Sequence, residues 1–134
     1  MTVANPQFDL ATHLQTGGHG TVGTSIFAGP VRASGGGIPE QAIFVREYGG
    51  PAPSMRFNGD SIYEFAVQVL VRAKRNETAG GMVRARAALA ACHKATVSGY
   101  LWCTASQSSP VLMPQDSVEL PTWVFNVRMM AQQP

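Results

Sequence analysis

The chain is short of charge. Only 13% of its 134 residues are Asp, Glu, Lys or Arg, about half of the roughly 25% usual in a soluble domain. A small monomer relies on surface charge to stay apart from its neighbours, so a deficit of this size points to a subunit that hides surface in an assembly. Cysteine is sparse too. Cys92 and Cys103 are the only two, their spacing matches no metal or redox motif, and both fall at expected core positions, which reads as two reduced thiols. No apolar run approaches the roughly 20 residues of a membrane-spanning helix. The opening MTVANPQFDL has neither the basic nor the hydrophobic region of a secretory leader. The expectation is a chain folded in a reducing cytoplasm, with no membrane partner. Ten cations against eight anions, with no dense basic stripe, give no indication of specific nucleic-acid binding.

A catalytic constellation is also missing. His13, His19 and His93 are scattered, whereas a metal site needs ligands at helical spacing or on paired strands. Cys92 and His93 are neighbours on a helix and point about 100° apart, so they do not form a thiolate–base pair. Gly17-Gly18-His19-Gly20-Thr21-Val22-Gly23 looks superficially like a phosphate loop. It follows a helix rather than a strand and lacks the Gly-Lys-Ser/Thr ending, so a tight connection is the better reading. Asn76-Glu77-Thr78 is a glycosylation sequon that matters only in a secreted chain. The expectation is no enzyme, no cofactor and no metal.

What the chain does have is a long strand, Ser61 to Arg75. At period two, one side carries Tyr63, Phe65, Val67, Val69, Val71 and Ala73, a face committed to a core. The other carries Ile62, Glu64, Ala66, Gln68, Leu70, Arg72 and Lys74, a mixture that is neither core nor ordinary surface and suggests a partner. Asn5-Pro6 starts a helix, with Asn5 as cap and Pro6 at the first position. Its expected core stripe is Phe8, Ala11 and Leu14, and Gly17-Gly18 ends it. Ser25–Ala28 and Ala42–Tyr48 read as short strands, with a glycine-rich loop over 31–40 and a turn-rich one over 49–60. From Asn76 or Glu77 the period changes to that of a helix. Its core stripe is Met82, Ala85, Leu89 and Cys92, its first turn is irregular at Gly80-Gly81, and Ser98-Gly99 ends it. Tyr100–Gln107 and Glu119–Met130 follow as strands, the latter with Trp123, Phe125, Val127 and Met129 inward and Asn126 and Arg128 outward. Pro121 predicts an edge or a bulge at its start. The order gives a single α+β domain over 1–134, a mainly antiparallel β-sheet with two α-helices packed on one face.

The ordered strings DLATHLQTGG, GTVGTSIFAGP, REYGGP, FAVQVLVRAK before an Ala/Arg-rich helix, and GYLWCTASQSSP resemble the minor capsid and tail-completion proteins of long-tailed bacteriophages, specifically the tail-terminator family. The resemblance covers residues 8 to 130 and rests on order and spacing rather than on any one motif. It implies a subunit that closes into a homo-oligomeric ring, usually a hexamer, on the tail tube. Such a ring stops tube polymerisation and offers a joining surface to the head connector or neck protein, while genomic DNA passes through its channel without specific binding. It implies a virion location, in the tail or neck, after assembly in the host cytoplasm. A head-closure or other neck protein is the alternative, and a small enzyme or ligand-binding module walled by Tyr100, Trp102 and Cys103 is a third. On the terminator reading, Glu64, Gln68 and Arg72 of the mixed face, with Arg46, Arg56, Lys74 and Arg84, are the expected subunit or partner contacts. The cluster Lys74, Arg75, Arg84 and Arg86 is either a solvated strand end and helix start or a contact to an acidic neighbour.

Overall fold

The structure, a computed structural model, describes residues 4–29, 39–55, 59–113 and 120–133. Its elements are α1 (Pro6–Thr16), β1 (Ile26–Ala28), β2 (Ala42–Glu47), β3 (Ser54–Met55), β4 (Ser61–Arg72), α2 (Thr78–Cys92), β5 (Trp102–Ala105), β6 (Val111–Leu112) and β7 (Thr122–Gln133). The fold is α+β. One seven-stranded sheet runs β1-β2-β4-β7-β5, with β3 beside β4 and β6 beside β7. Every pairing is antiparallel except β1 with β2.

The sheet is organised by β4 and β7, each 12 residues long, which pair along their whole length from Ser61↔Gln133 to Arg72↔Thr122. That register puts Val67, Val69 and Val71 opposite Val127, Phe125 and Trp123, all on one face and all essentially without solvent contact. Burying one such side chain contributes roughly 1.5–3 kcal/mol, so this seam is the main source of stability. The inward side of β4 is less uniform than its alternation suggests. Tyr63 and Phe65 are only half-buried; their rings stack on each other at 6.0 Å, beside the fully buried Met129 and Ala131.

Both helices pack on this face, their buried residues joining the β4 and β7 seam in one core. Asn5 caps α1 by accepting the Phe8 N–H at 3.4 Å, and Pro6 opens it. The buried stripe is Pro6, Leu10, Ala11 and Leu14. Phe8, expected in the core, is half-exposed, since the rotation that seats Leu10 and Leu14 turns Phe8 outward. The helix α2 buries Gly81, Ala85, Ala88 and Cys92, while Met82 and Leu89 are half-buried at its margin.

Two expectations for α2 are corrected. Gly80-Gly81 does not disrupt the first turn. Gly81 is where the helix touches Trp123, and a Cβ there would meet the indole ring and lie 2.7 Å from the Ala73 Cβ, so a larger residue would lift the helix off the sheet. The helix also stops at Cys92, six residues short of Ser98. Lys94 takes a left-handed φ of 54°, and the Ala95 N–H leaves the helical pattern to donate to the Cys103 carbonyl at 3.1 Å. The last strand starts and ends three residues later than expected. Pro121 marks neither an edge nor a bulge. It lies just ahead of an interior strand, where its missing N–H is not needed and its carbonyl accepts from Ala73 N–H at 2.9 Å.

Candidate functional site

The opposite face of the sheet carries neither helix. Its residues are the even-numbered ones of β4 and their partners, and the register arranges them in rows across the strands. One row is apolar from side to side: Phe27 of β1, Phe44 of β2, Leu70 of β4, Val124 of β7 and Val111 of β6. The Phe27 and Phe44 rings stack at 5.7 Å, and the Arg72 guanidinium lies 5.2 Å from the centre of the Phe44 ring, a cation–π arrangement. Phe27, Phe44, Leu70 and Val124 are half-buried, and Val111, with its neighbours Leu112 and Met113, is exposed at the outer strand.

The next row is polar: Arg46, Gln68 and Asn126. Arg46 Nη2 donates to Gln68 Oε1 at 3.0 Å. Beyond it, Ala66 pairs with Arg128 and Arg128 with Thr104, and then Glu64 pairs with Met130 and Met130 with Trp102. Arg128 reaches diagonally to Glu64 at 3.6 Å. This face thus carries a continuous apolar row, a polar row and an ion pair side by side.

Most expected contact residues belong to this face, but not all. Arg46, Glu64, Gln68 and Arg72 lie on it. Arg72 is occupied within its own chain, where Nε donates to the Glu40 carbonyl at 2.9 Å and Nη2 to that of Pro39 at 2.8 Å. Lys74 sits two residues beyond β4 and is exposed. Arg84 is on α2, behind the sheet, with Nη2 3.4 Å from Glu77 Oε2. Arg56 lies outside the described residues. The expected interface therefore divides between two sides of the molecule. Sequence reasoning missed Phe27, Phe44, Val124 and Val111. Alternation alone assigns each to a face of its own strand, but only the register aligns them.

Compared with models of known protein families, the chain matches none. No curated protein matches it either.

The suggested pocket wall of Tyr100, Trp102 and Cys103 does not form. Cys103 is buried among the core residues, and its thiol donates to the Cys92 carbonyl at 3.3 Å. Trp102 is on the open face opposite Met130. The Tyr100 hydroxyl donates to Asp9 Oδ2 at 2.7 Å and its ring meets Phe65 edge-on at 6.5 Å, tying α1 to the sheet. Burial, then the bond to Asp9, holds the Tyr100 hydroxyl above its ordinary pKa. Burial pushes the Cys103 thiol up to about 11 and Cys92 higher still, with Cys103 adding to the effect. Both thiols are protonated at neutral pH and unsuited to nucleophilic attack.

Two of the three histidines join elements by hydrogen bonds. His13 Nε2 is 2.9 Å from the Ala91 carbonyl and joins the two helices. His93 Nδ1 accepts the Ala105 N–H at 3.3 Å and joins α2 to β5. Among the described residues, no three His, Cys, Asp or Glu side chains gather as a metal site, and no helix is long and apolar enough to cross a membrane.

Proposed function

We propose that this protein is a structural virion component, a tail terminator whose copies close into a ring on the tail tube, end its polymerisation and offer the joining surface for the head connector. The observation that carries the reading is the sheet face that neither helix covers, with its apolar row from Phe27 to Val111, on a chain with only 13% charged residues. An apolar row of this length on an open sheet is a surface for another protein. The ordered strings that resemble the terminator family point to a second copy and the tail tube as the proteins concerned. The polar row, Arg46, Gln68 and Asn126, supplies hydrogen bonds that fix the angle between copies. No chemical step is required of any residue, and DNA needs only a channel.

The test combines purified protein with preassembled tail tubes and with DNA-filled heads, viewed by electron microscopy. A ring at the tube end, with tubes no longer elongating, is the expected result. Binding to filled heads alone would instead place the protein as a head-closure component, one ring higher. Leu70→Asp should abolish the tube-end ring while the monomer keeps its circular-dichroism spectrum. A variant that still terminates tubes at normal efficiency would overturn the assignment of this face.

A further inference from the structure

The helix side of the molecule is charged differently at its two ends. At the Ser61 end of β4, Ala131 and Gln132 of β7 pair with Tyr63 and Ile62, and a hollow of about 670 Å³ opens there beside the first turn of α1. Phe8 and Tyr100 supply aromatic rings to it, and Asp9 supplies a carboxylate. No Lys or Arg among the described residues lines it. Asp9 accepts the Tyr100 hydroxyl on one oxygen, and a carboxylate has acceptor capacity beyond that. Glu47 ends β2 beside the same turn, its N–H held by Gln7 Oε1 at 3.1 Å, and its charge also helps to raise the Tyr100 hydroxyl. The two ion pairs among the described residues, Arg84–Glu77 and Arg128–Glu64, include neither Asp9 nor Glu47. At the other end β4 stops at Arg72 and α2 begins at Thr78. Lys74 and Arg75 are exposed between them, with Arg84 of α2 close by and paired to Glu77.

The 12 residues of β4 hold the two ends about 36 Å apart. That is several times the Debye length of about 8 Å at physiological salt, so the ends do not neutralise one another within one copy. A second copy can bring them together. We propose that copies meet head to tail, the Lys74 end of one placing its cation in the Asp9 hollow of the next. The ammonium lies against the Asp9 carboxylate, with Glu47 nearby and the half-exposed Phe8 ring as a cation–π face. The two surfaces differ, so each copy uses both and the contact repeats in one direction, which closes a ring when the rotation between copies allows. Complementary charge of this kind sets partner and orientation more than affinity. The inference rests on the proposed function for the ring alone, and it leaves the sheet face that neither helix covers open to the tail tube.

The experiment measures self-association of the full chain by sedimentation velocity at about 50 mM and about 500 mM salt, where screening lengths differ about threefold. Association at low salt that weakens at high salt is expected. Glu47→Lys and Lys74→Glu, both at exposed positions, should each weaken it about tenfold or more. An equimolar mixture of the two variants should restore it, because the reversed end of each then faces the reversed end of the other. Asp9→Asn keeps an oxygen for the Tyr100 hydroxyl but loses the charge, and should weaken association with an unchanged circular-dichroism spectrum. Lys94→Glu makes the same change in net charge at an exposed position beyond the end of α2, and should leave association as it was. A chain that stays monomeric at low salt, a mixture that does not recover, or an equal loss in Lys94→Glu would overturn the proposal. Tube termination is untouched by that failure, since it is read on preassembled tubes with Leu70→Asp.

Discussion

Neighbouring residues on β7 face two different environments. Trp123, Phe125 and Val127 point under the helices and are fully buried, while Val124, Asn126 and Arg128 point to the bare face and keep solvent contact. The strand and its ladder are the same for both sets, so the difference lies in what covers each face. The covered face is almost wholly apolar because every polar atom there would need a partner. The bare face carries apolar, polar and charged rows side by side, because water or another protein can satisfy it. On the proposed function, stability and association fall on opposite sides of one sheet.

Adjacent substitutions break the comparison most sharply. Phe125→Ala should cost about 3–5 kcal/mol, seen as a large drop in the urea midpoint. Val124→Asp, one residue away, should cost about 1 kcal/mol or less yet prevent association with tail tubes in sedimentation. Equal losses of stability would mean that the bare face is also core. Gly81→Ala comes next. Its methyl group would press on Trp123 and Ala73, and overpacking of this kind costs about 1–3 kcal/mol, measurable as a lower melting temperature with unchanged tube binding.

A smaller effect is read from pH. The folded state holds the Cys103 proton more tightly than the unfolded chain, raising the thiol from 9.0 to about 11. This contribution is therefore complete below pH 9 and is lost as pH rises through about 11, with Cys92 acting in the same direction. Urea midpoints should fall between pH 8 and pH 10.5, and less steeply in Cys103→Ala. The smallest effect is expected on the bare face. Arg128→Ala breaks an exposed pair with Glu64 at 3.6 Å, worth about 0.5 kcal/mol or less, and should leave the melting temperature within about a degree.

Much of this division could be read without coordinates, because local rules are enough for it. Val67, Val69 and Val71 alternate with Gln68 and Leu70, and a strand sends alternate residues to opposite faces. Asn5 and Pro6 start a helix because a cap and a pre-set φ act on the residues beside them. The misses have non-local causes. Val111–Leu112 and Ser54–Met55 are two-residue strands that exist only because β7 and β4 offer them edges. The early end of α2 comes from Cys103, eight residues downstream of Ala95, claiming that residue's N–H.

The α+β class, the two helices, the long central strand and which residues of each strand share a side follow from the order of residues alone, since periodicity and capping depend on nearest neighbours. Which side each expected contact residue occupies follows from strand pairing and helix docking alone. The register lines up Phe27, Phe44, Leu70, Val124 and Val111 into one row. Packing of α2 on Trp123 carries Arg84 away from that row, into a cleft beside His19. Residues so far apart in the chain meet only through strand pairing and helix docking, and no local pattern encodes either.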